Sequence, residues 1–235
     1  MVVQAQEGRL TEHGRVLIAT AVPAERDAVA RGLSGAGAAH PAVDVVAVGV
    51  GPAAAAAGTA TALTTAALSG RPYRLVVSAG IGGGFQPDAP IGSVVVADAL
   101  TAADLGAETP DGFLPVTELG FGTVTHLPPP SLVRDVAAAT GALTGTVLTV
   151  STVTGTADRA AELLRRHPGA AVEAMEGFGV AEAAAAHGVP VLEIRAVSNA
   201  VGPRDRAAWR IGDALAALTE AFGKSAPVLE SWNRT

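Results

Sequence analysis

AVEAMEGFGVAEAAAAHGVPVLEIRAVSN, from Ala171 to Asn199, holds an apolar strand, a carboxylate at a helix entrance, an Ala-rich helix, a Gly188-Val189-Pro190 turn and a second apolar strand. In a parallel sheet the crossover helix runs antiparallel to its strands, so its N-terminus lies at the edge where the strands end. Glu176, opening the helix, and Asn199, closing the second strand, are therefore expected to face one crevice. Ligands of open α/β sheets bind in that crevice, and the segment points to an enzyme acting on a small molecule.

The same alternation extends outward. Strand-like runs at Val16–Ala21, Val43–Val48, Leu75–Ala79, Ser93–Ala97, Thr146–Val150, Ala170–Glu173 and Val191–Ser198 are mostly separated by helix-like runs. The latter are Ala24–Leu33, Ala53–Leu68, Ser131–Thr140, Ala157–His167, Glu176–His187 and Asp205–Phe222. Such alternation predicts an α/β domain with a largely parallel sheet covered on both faces. The interval Leu100–Pro130 breaks the rhythm and reads as a long irregular excursion of the functional kind. No internal boundary is marked, so residues 1–235 are read as one domain, with 1–14 and 224–235 as loose tails.

Composition narrows the function. The formal net charge is −6 and the single lysine is Lys224, so no basic patch is available to neutralise a nucleic-acid backbone. Without cysteine there are no disulfides, thiolate nucleophiles or cysteine-based metal sites. His13, His40, His126, His167 and His187 are scattered without metal-ligand spacing, and no metal or cofactor is expected. His187, before Gly188, reads as a helix C-terminal cap. The polar start MVVQAQEGRLTEHGR lacks an apolar signal core, and no stretch reads as a membrane span. A cytoplasmic protein without membrane or nucleic-acid partners is the expectation.

Several constellations carry chemistry. SAGIGGGF, Ser78 to Phe85, follows an apolar strand and reads as a turn, or as a place where backbone N–H groups approach a ligand. It is neither a dinucleotide fingerprint, since Phe85 stands where the third glycine would be, nor a P-loop. Glu25 opens the first helix and alone reads as a dipole-complementing carboxylate, yet its place after the first strand sets it at the same crevice as Glu176 and Asn199. Glu193 and Arg195 alternate on one strand face and read as a buried ion pair. VGPRDRAAWRIGD, Val201 to Asp213, reads either as a solvated helix start or as a lid whose Arg and Trp side chains meet an anionic or aromatic group.

Taken together, AVPAE at Ala21–Glu25, SAGIGGGF, AMEG at Ala174–Gly177 and IRAVSN at Ile194–Asn199 resemble the nucleoside phosphorylase and nucleosidase superfamily over nearly the whole chain. Through AGIGGGF, ADLGAETPDGF, MEG and SNAVGPRD the chain is most similar to the futalosine hydrolase family within it. The resemblance implies a single-domain, three-layer αβα sandwich around a central mixed, largely parallel sheet, assembled as a homo-oligomer and cleaving a purine N-glycosidic bond without cofactor or metal.

By similarity, Glu176 would accept from the ribose 2′- and 3′-hydroxyls, Met175 would lie beneath the sugar, and Glu25 would orient or deprotonate the attacking water. Gly80 and Ile81 would bring backbone N–H groups to the substrate. Related methylthioadenosine nucleosidases carry Asp where Asn199 stands; an amide donates to the N7 and O6 acceptors of a 6-oxopurine, which favours hypoxanthine over adenine. Asn cannot transfer a proton, which leaves Asp205 or water as the acid. The phosphorylases hold phosphate with an arginine just before the Gly-rich segment, where Leu75–Ala79 is neutral; this favours hydrolysis, with Arg26 left as a cation near Glu25. The aromatic carboxylate at the 5′ end of futalosine needs stacking and a cation, for which Arg204, Arg206, Trp209, Phe113 and Phe121 are candidates. The excursion Leu100–Pro130 is where a neighbouring subunit would contribute. A methylthioadenosine-type nucleosidase, a purine nucleoside phosphorylase and a non-catalytic nucleoside-binding protein are the alternatives.

Overall fold

A computed structural model describes residues 14–35 and 42–232. His13, His40, residues 1–13 of the expected N-terminal tail and residues 233–235 lie outside the described residues. The elements run β1 (Arg15–Thr20), α1 (Pro23–Gly35), β2 (Val43–Ala47), α2 (Pro52–Leu68), β3 (Tyr73–Gly84), β4 (Val94–Ala102), β5 (Gly106–Thr109), β6 (Gly112–Pro115), β7 (Thr125–His126), α3 (Pro130–Thr140), β8 (Leu143–Thr149), α4 (Ala157–Arg166), β9 (Ala170–Ala174), α5 (Gly177–Ala186), β10 (Val191–Ala200) and α6 (Ile211–Ser231).

Three layers result. The apolar side chains of α1, α3 and α6 close on one face of the sheet through Val29, Leu33, Val136, Leu218 and Phe222. On the other face α2 and α5 pack through alanines and Leu63, and α4 covers a smaller cluster of Leu148, Leu163 and Phe85. The Ala-rich composition is what lets α2 and α5 lie so close: a Cβ on Gly179 would stand 2.1 Å from the Pro52 carbonyl oxygen. No helix among the described residues is long and apolar enough to cross a membrane.

The sheet is mixed. β2, β1, β3 and β10 run parallel to one another, as do β4, β8 and β9, and the two groups meet antiparallel at β10–β4 and β3–β9. Because β3 pairs with both β10 and β9, the strands β3, β10, β4, β8 and β9 close into a ring, and β1 and β2 extend it from β3. This corrects the expected geometry of the 171–199 segment. β9 and β10 are not neighbours and run in opposite directions, so α5 is not a simple parallel crossover. Ring closure instead carries the end of β9 across the end of β3, at Gly83↔Glu173 and Gly84↔Val172. That crossing brings Glu176 to the edge where β10 finishes.

Three other expectations change. SAGIGGGF is strand, not turn: β3 continues to Gly84, and none of Gly80, Gly82, Gly83 and Gly84 has a positive φ. Their missing side chains serve close approach instead, since a Cβ on Gly82 would meet the Glu173 carbonyl at 2.8 Å and one on Gly84 the Ala89 carbonyl at 2.1 Å. The Leu100–Pro130 excursion is not irregular throughout. It contains the β5–β6 hairpin and the short β7 paired to β4, which satisfy backbone groups that composition alone left unassigned. The C-terminal tail begins later than expected, because α6 runs to Ser231 with Ser225, Ala226 and Leu229 buried. Pro227 does not end the helix: Phe222, Ala226 and Leu229 keep helical spacing and bury in the same cluster as Val29 and Leu132.

The glycines of β3 are thus a packing requirement. Gly84→Ala should cost about 1–3 kcal/mol by forcing β3 away from Ala89. Urea unfolding of both proteins measures it, and equal midpoints would remove the close-approach explanation.

Candidate active site

Arg195 organises the site. It alternates with Glu193 on β10, so both side chains leave the strand on one face. The Arg195 guanidinium is 1% exposed and pairs through Nε with Glu193 Oε1 at 2.8 Å and through Nη1 with Glu176 Oε2 at 3.2 Å. It also donates through Nη2 to Ser78 Oγ at 3.2 Å and through Nη1 to the Ile81 carbonyl at 3.4 Å. Burial works against the cation, but Glu193, Glu176 and Glu25 outweigh it and hold the Arg195 pKa above its ordinary value. Burial pushes the Glu193 carboxyl up, against the pull of Arg195. Glycines make room for the cluster. A Cβ on Gly80 would lie 2.6 Å from both Arg195 Nη1 and Glu25 Oε1, and one on Gly177 would lie 2.1 Å from Glu193 Oε2.

Glu25, in the first turn of α1, is 5% exposed. Its Oε2 accepts from the backbone N–H groups of Ala21 at 3.0 Å and Val22 at 3.3 Å, and its Oε1 from that of Ile81 at 2.9 Å. A carboxylate offers about four acceptor positions, so roughly one remains, on Oε1. Glu176, immediately before α5, accepts from Gly51 N–H at 3.1 Å on Oε1 and from Arg195 on Oε2. By the same count it keeps about one position on each oxygen, which is what a vicinal diol requires.

Both carboxylates line a cleft of about 330 Å³, together with Ile81, Met175, Asn199, Arg204, Asp205 and Trp209. Asn199, near the end of β10, accepts from Ser198 Oγ at 2.8 Å and donates through Nδ2 to the Ala200 carbonyl at 3.0 Å, keeping one amide hydrogen for a ligand. Asp205 caps a single 3₁₀ turn, Arg206–Ala208, by accepting from Ala207 N–H at 3.0 Å. The Arg204 guanidinium lies 5.7 Å from the centroid of the Trp209 ring at the cleft rim, so these two side chains form one cationic and aromatic surface.

Not every sequence candidate lies there. Gly80 is buried and is not among the residues lining the cleft; a side chain there would collide with Arg195 and Glu25. Phe113, on β6, lies under the Arg166 guanidinium at 4.4 Å and lines a different groove, because the β5–β6 hairpin folds toward α4. Phe121 is 63% exposed and, like Arg206, does not line the cleft. Arg26 pairs with Asp27 at 2.8 Å on the surface. His187 ends α5 with Thr64 Oγ1 at 3.4 Å, and His126 pairs with Glu182 at 2.7 Å. Several cleft residues were missed in the sequence. Glu173 lines it from β9, fixed by Thr154, and the β8–α4 loop contributes Val153 and Thr154. A carboxylate inside the apolar run AAVEA was the available signal.

Replacing Arg195 by Met would leave Glu193, Glu176 and Glu25 without their shared cation, a loss expected to cost about 3–5 kcal/mol. Chemical unfolding of the variant checks this, and an unchanged midpoint would show that the carboxylates hold together without it.

Residues 15–230 match the profile described as Phosphorylase superfamily. The chain is 73% identical over 228 residues to futalosine hydrolase of Streptomyces coelicolor, covering 92% of this chain and 97% of that protein. It is 50% identical over 221 residues to futalosine hydrolase of Acidothermus cellulolyticus, covering 88% of each. Among solved structures, the fold resembles the 5′-methylthioadenosine/S-adenosylhomocysteine nucleosidase of Neisseria meningitidis with TM-score 0.75 at 17% identity, covering 93% of this chain and 99% of that one. It also resembles futalosine hydrolase of Helicobacter pylori with TM-score 0.72 at 16% identity, covering 92% and 98%. The fold, the ordered motifs and these identities agree: the chain belongs to the phosphorylase superfamily and, within it, to the futalosine hydrolase family.

Proposed function

We propose that this chain hydrolyses the N-glycosidic bond of futalosine, releasing hypoxanthine and dehypoxanthine futalosine in the alternative menaquinone pathway. The observation that carries it is the convergence of Glu25, Glu176 and Asn199 on one cleft in a chain 73% identical to a futalosine hydrolase. Cleavage breaks the bond from C1′ to N9 and develops positive charge on the ribose, which nearby carboxylates stabilise. Glu176 uses its two open acceptor positions for the 2′- and 3′-hydroxyls, with Met175 beneath the sugar. Glu25, fixed by three backbone amides, uses its remaining position to align water and take its proton as oxygen bonds to C1′.

The departing base carries the bonding pair away and needs stabilisation at N7. Asn199 supplies an amide hydrogen there, and Asp205 at the cleft rim is the assigned proton donor, acting directly or through water. Ile81 contributes less directly, since its N–H is committed to Glu25. The Arg204–Trp209 surface suits the aromatic carboxylate at the 5′ end. Among the described residues lining the cleft the cation is Arg204, so a phosphate beside Glu25 would meet carboxylates without a partner, which favours water as nucleophile. The same reading includes a cytoplasmic homo-oligomer in which Phe113 and Phe121 serve a neighbouring subunit rather than their own cleft.

Incubating the purified protein with futalosine, with and without phosphate, and following hypoxanthine by chromatography tests the reaction. Release at equal rates is expected; release that requires phosphate would establish a phosphorylase instead. Glu25→Gln cannot take a proton and should lower kcat by about 10²–10⁴. Circular dichroism controls for folding, and full turnover in a folded variant would remove Glu25 from the chemistry.

A further inference from the structure

Glu173 is a buried carboxylate in the cleft that the proposed reaction does not use. Its position is fixed by register. On β3, Gly83 is the cross-strand partner of Glu173 on one side and of Asn199 on the other. Cross-strand partners project from the same face of a sheet, and a Cβ on Gly83 would lie 3.1 Å from Asn199 Nδ2 on that face. Glu173 and Asn199 therefore stand on one face of the sheet to either side of Gly83, against which Val201 packs: a Cβ there would lie 2.9 Å from Val201 Cγ2. Both line the cleft that also holds Glu176 and Met175.

The chemistry of the two walls is complementary. Asn199 keeps a donor. Glu173 accepts from Thr154 N–H at 2.8 Å on Oε1 and from the Thr154 hydroxyl on Oε2, so about one acceptor position per oxygen stays open. A 6-oxopurine has acceptors at N7 and O6 and a donor at N1–H. A 6-aminopurine has an unprotonated N1, whose lone pair would face the carboxylate with nothing to share.

We propose that Glu173 is a specificity-determining residue of this site, its carboxylate accepting N1–H of the 6-oxopurine while Asn199 donates to the opposite edge. The assignment of substrate rests on the proposed cleavage of futalosine. The placement of Glu173 and Asn199 in one cleft stands independently of it. Reading both edges explains how a site with an amide at position 199 rejects an amino group at C6: each wrong edge leaves a buried polar group unpaired.

Glu173→Gln tests the role with little disturbance, because Thr154 N–H can still donate to the amide oxygen and the Thr154 hydroxyl can turn to accept from the amide nitrogen. That nitrogen can donate to N1 of adenine. kcat/KM for futalosine should fall and that for its 6-amino analogue rise, lowering the preference by on the order of 10² or more. Equal losses on both substrates would overturn the proposal and leave Glu173 as a support for the Thr154 loop. Titration calorimetry with free hypoxanthine and free adenine separates this from the reaction itself. If the unaltered protein does not cleave futalosine, the reaction assignment fails, and the base-reading role is decided by whether Glu173→Gln shifts the affinity ratio toward adenine. An unshifted ratio overturns it.

Discussion

A single buried guanidinium sets the constraint that the rest of the site obeys. Arg195 reaches Glu193 on its own strand and Glu176 at the start of α5, and it attracts Glu25 at the start of α1. Three carboxylates from three elements could not share a desolvated volume without it, because each would lose hydration with only like charges nearby. The surrounding sequence is shaped to admit this cluster. Gly80 and Gly177 are bare where a methyl would collide with it, and Ser78 offers a hydroxyl to Arg195. The result is two carboxylates aimed at a cleft in fixed orientations, before any ligand arrives.

The β3 glycines extend the same logic to the fold. Closing five strands into a ring forces β9 to cross β3 at short range, and only a strand with bare positions allows carbonyls of neighbouring segments to approach as they do at Gly82 and Gly84. Ring closure in turn places Glu173 and Asn199 across Gly83. Packing and site geometry are thus one feature, and the Gly-rich segment serves the cleft without being a phosphate-cradling loop.

Periodicity located the six α-helices and seven main strands of the described residues, and the buried pair Glu193–Arg195 followed from two charges alternating in an apolar strand. Glu25, Glu176 and Asn199 were placed at one crevice because each sits at a strand–helix junction, and they do line one cleft. Strand direction was not legible: nothing local in AAVEA tells whether it runs with or against VLEIRAVSN, since that depends on how each pairs with β3, far away in the sequence. Nor was the function of SAGIGGGF, because glycine for turning and glycine for close approach look alike in one dimension. The end of α6 was misplaced because Lys224–Thr235 read as a loose tail, whereas burial of Ala226 and Leu229 carries the helix through Pro227. Glu173 was overlooked for a related reason: its carboxylate in AAVEA was visible, but only cross-strand register sets it across Gly83 from Asn199.

The polarity of the cleft then constrains what it can process. Glu25, Glu173 and Glu176 present acceptors, Asn199 presents a donor, and the cation at the rim is Arg204. Such a surface favours ligands that bring hydrogens to it, as a ribose diol, a water molecule and a ring N–H do, and it disfavours an inorganic anion in its interior. It also favours positive charge developing between the carboxylates more than it favours a neutral nucleoside, which is the condition for lowering a barrier rather than merely binding. An anionic group is accommodated where Arg204 lies against Trp209. A substrate matched to this polarity carries hydrogen-bond donors for the carboxylates and a negative charge for Arg204, and a 6-oxopurine nucleoside extended at its 5′ end by an aromatic carboxylate carries both.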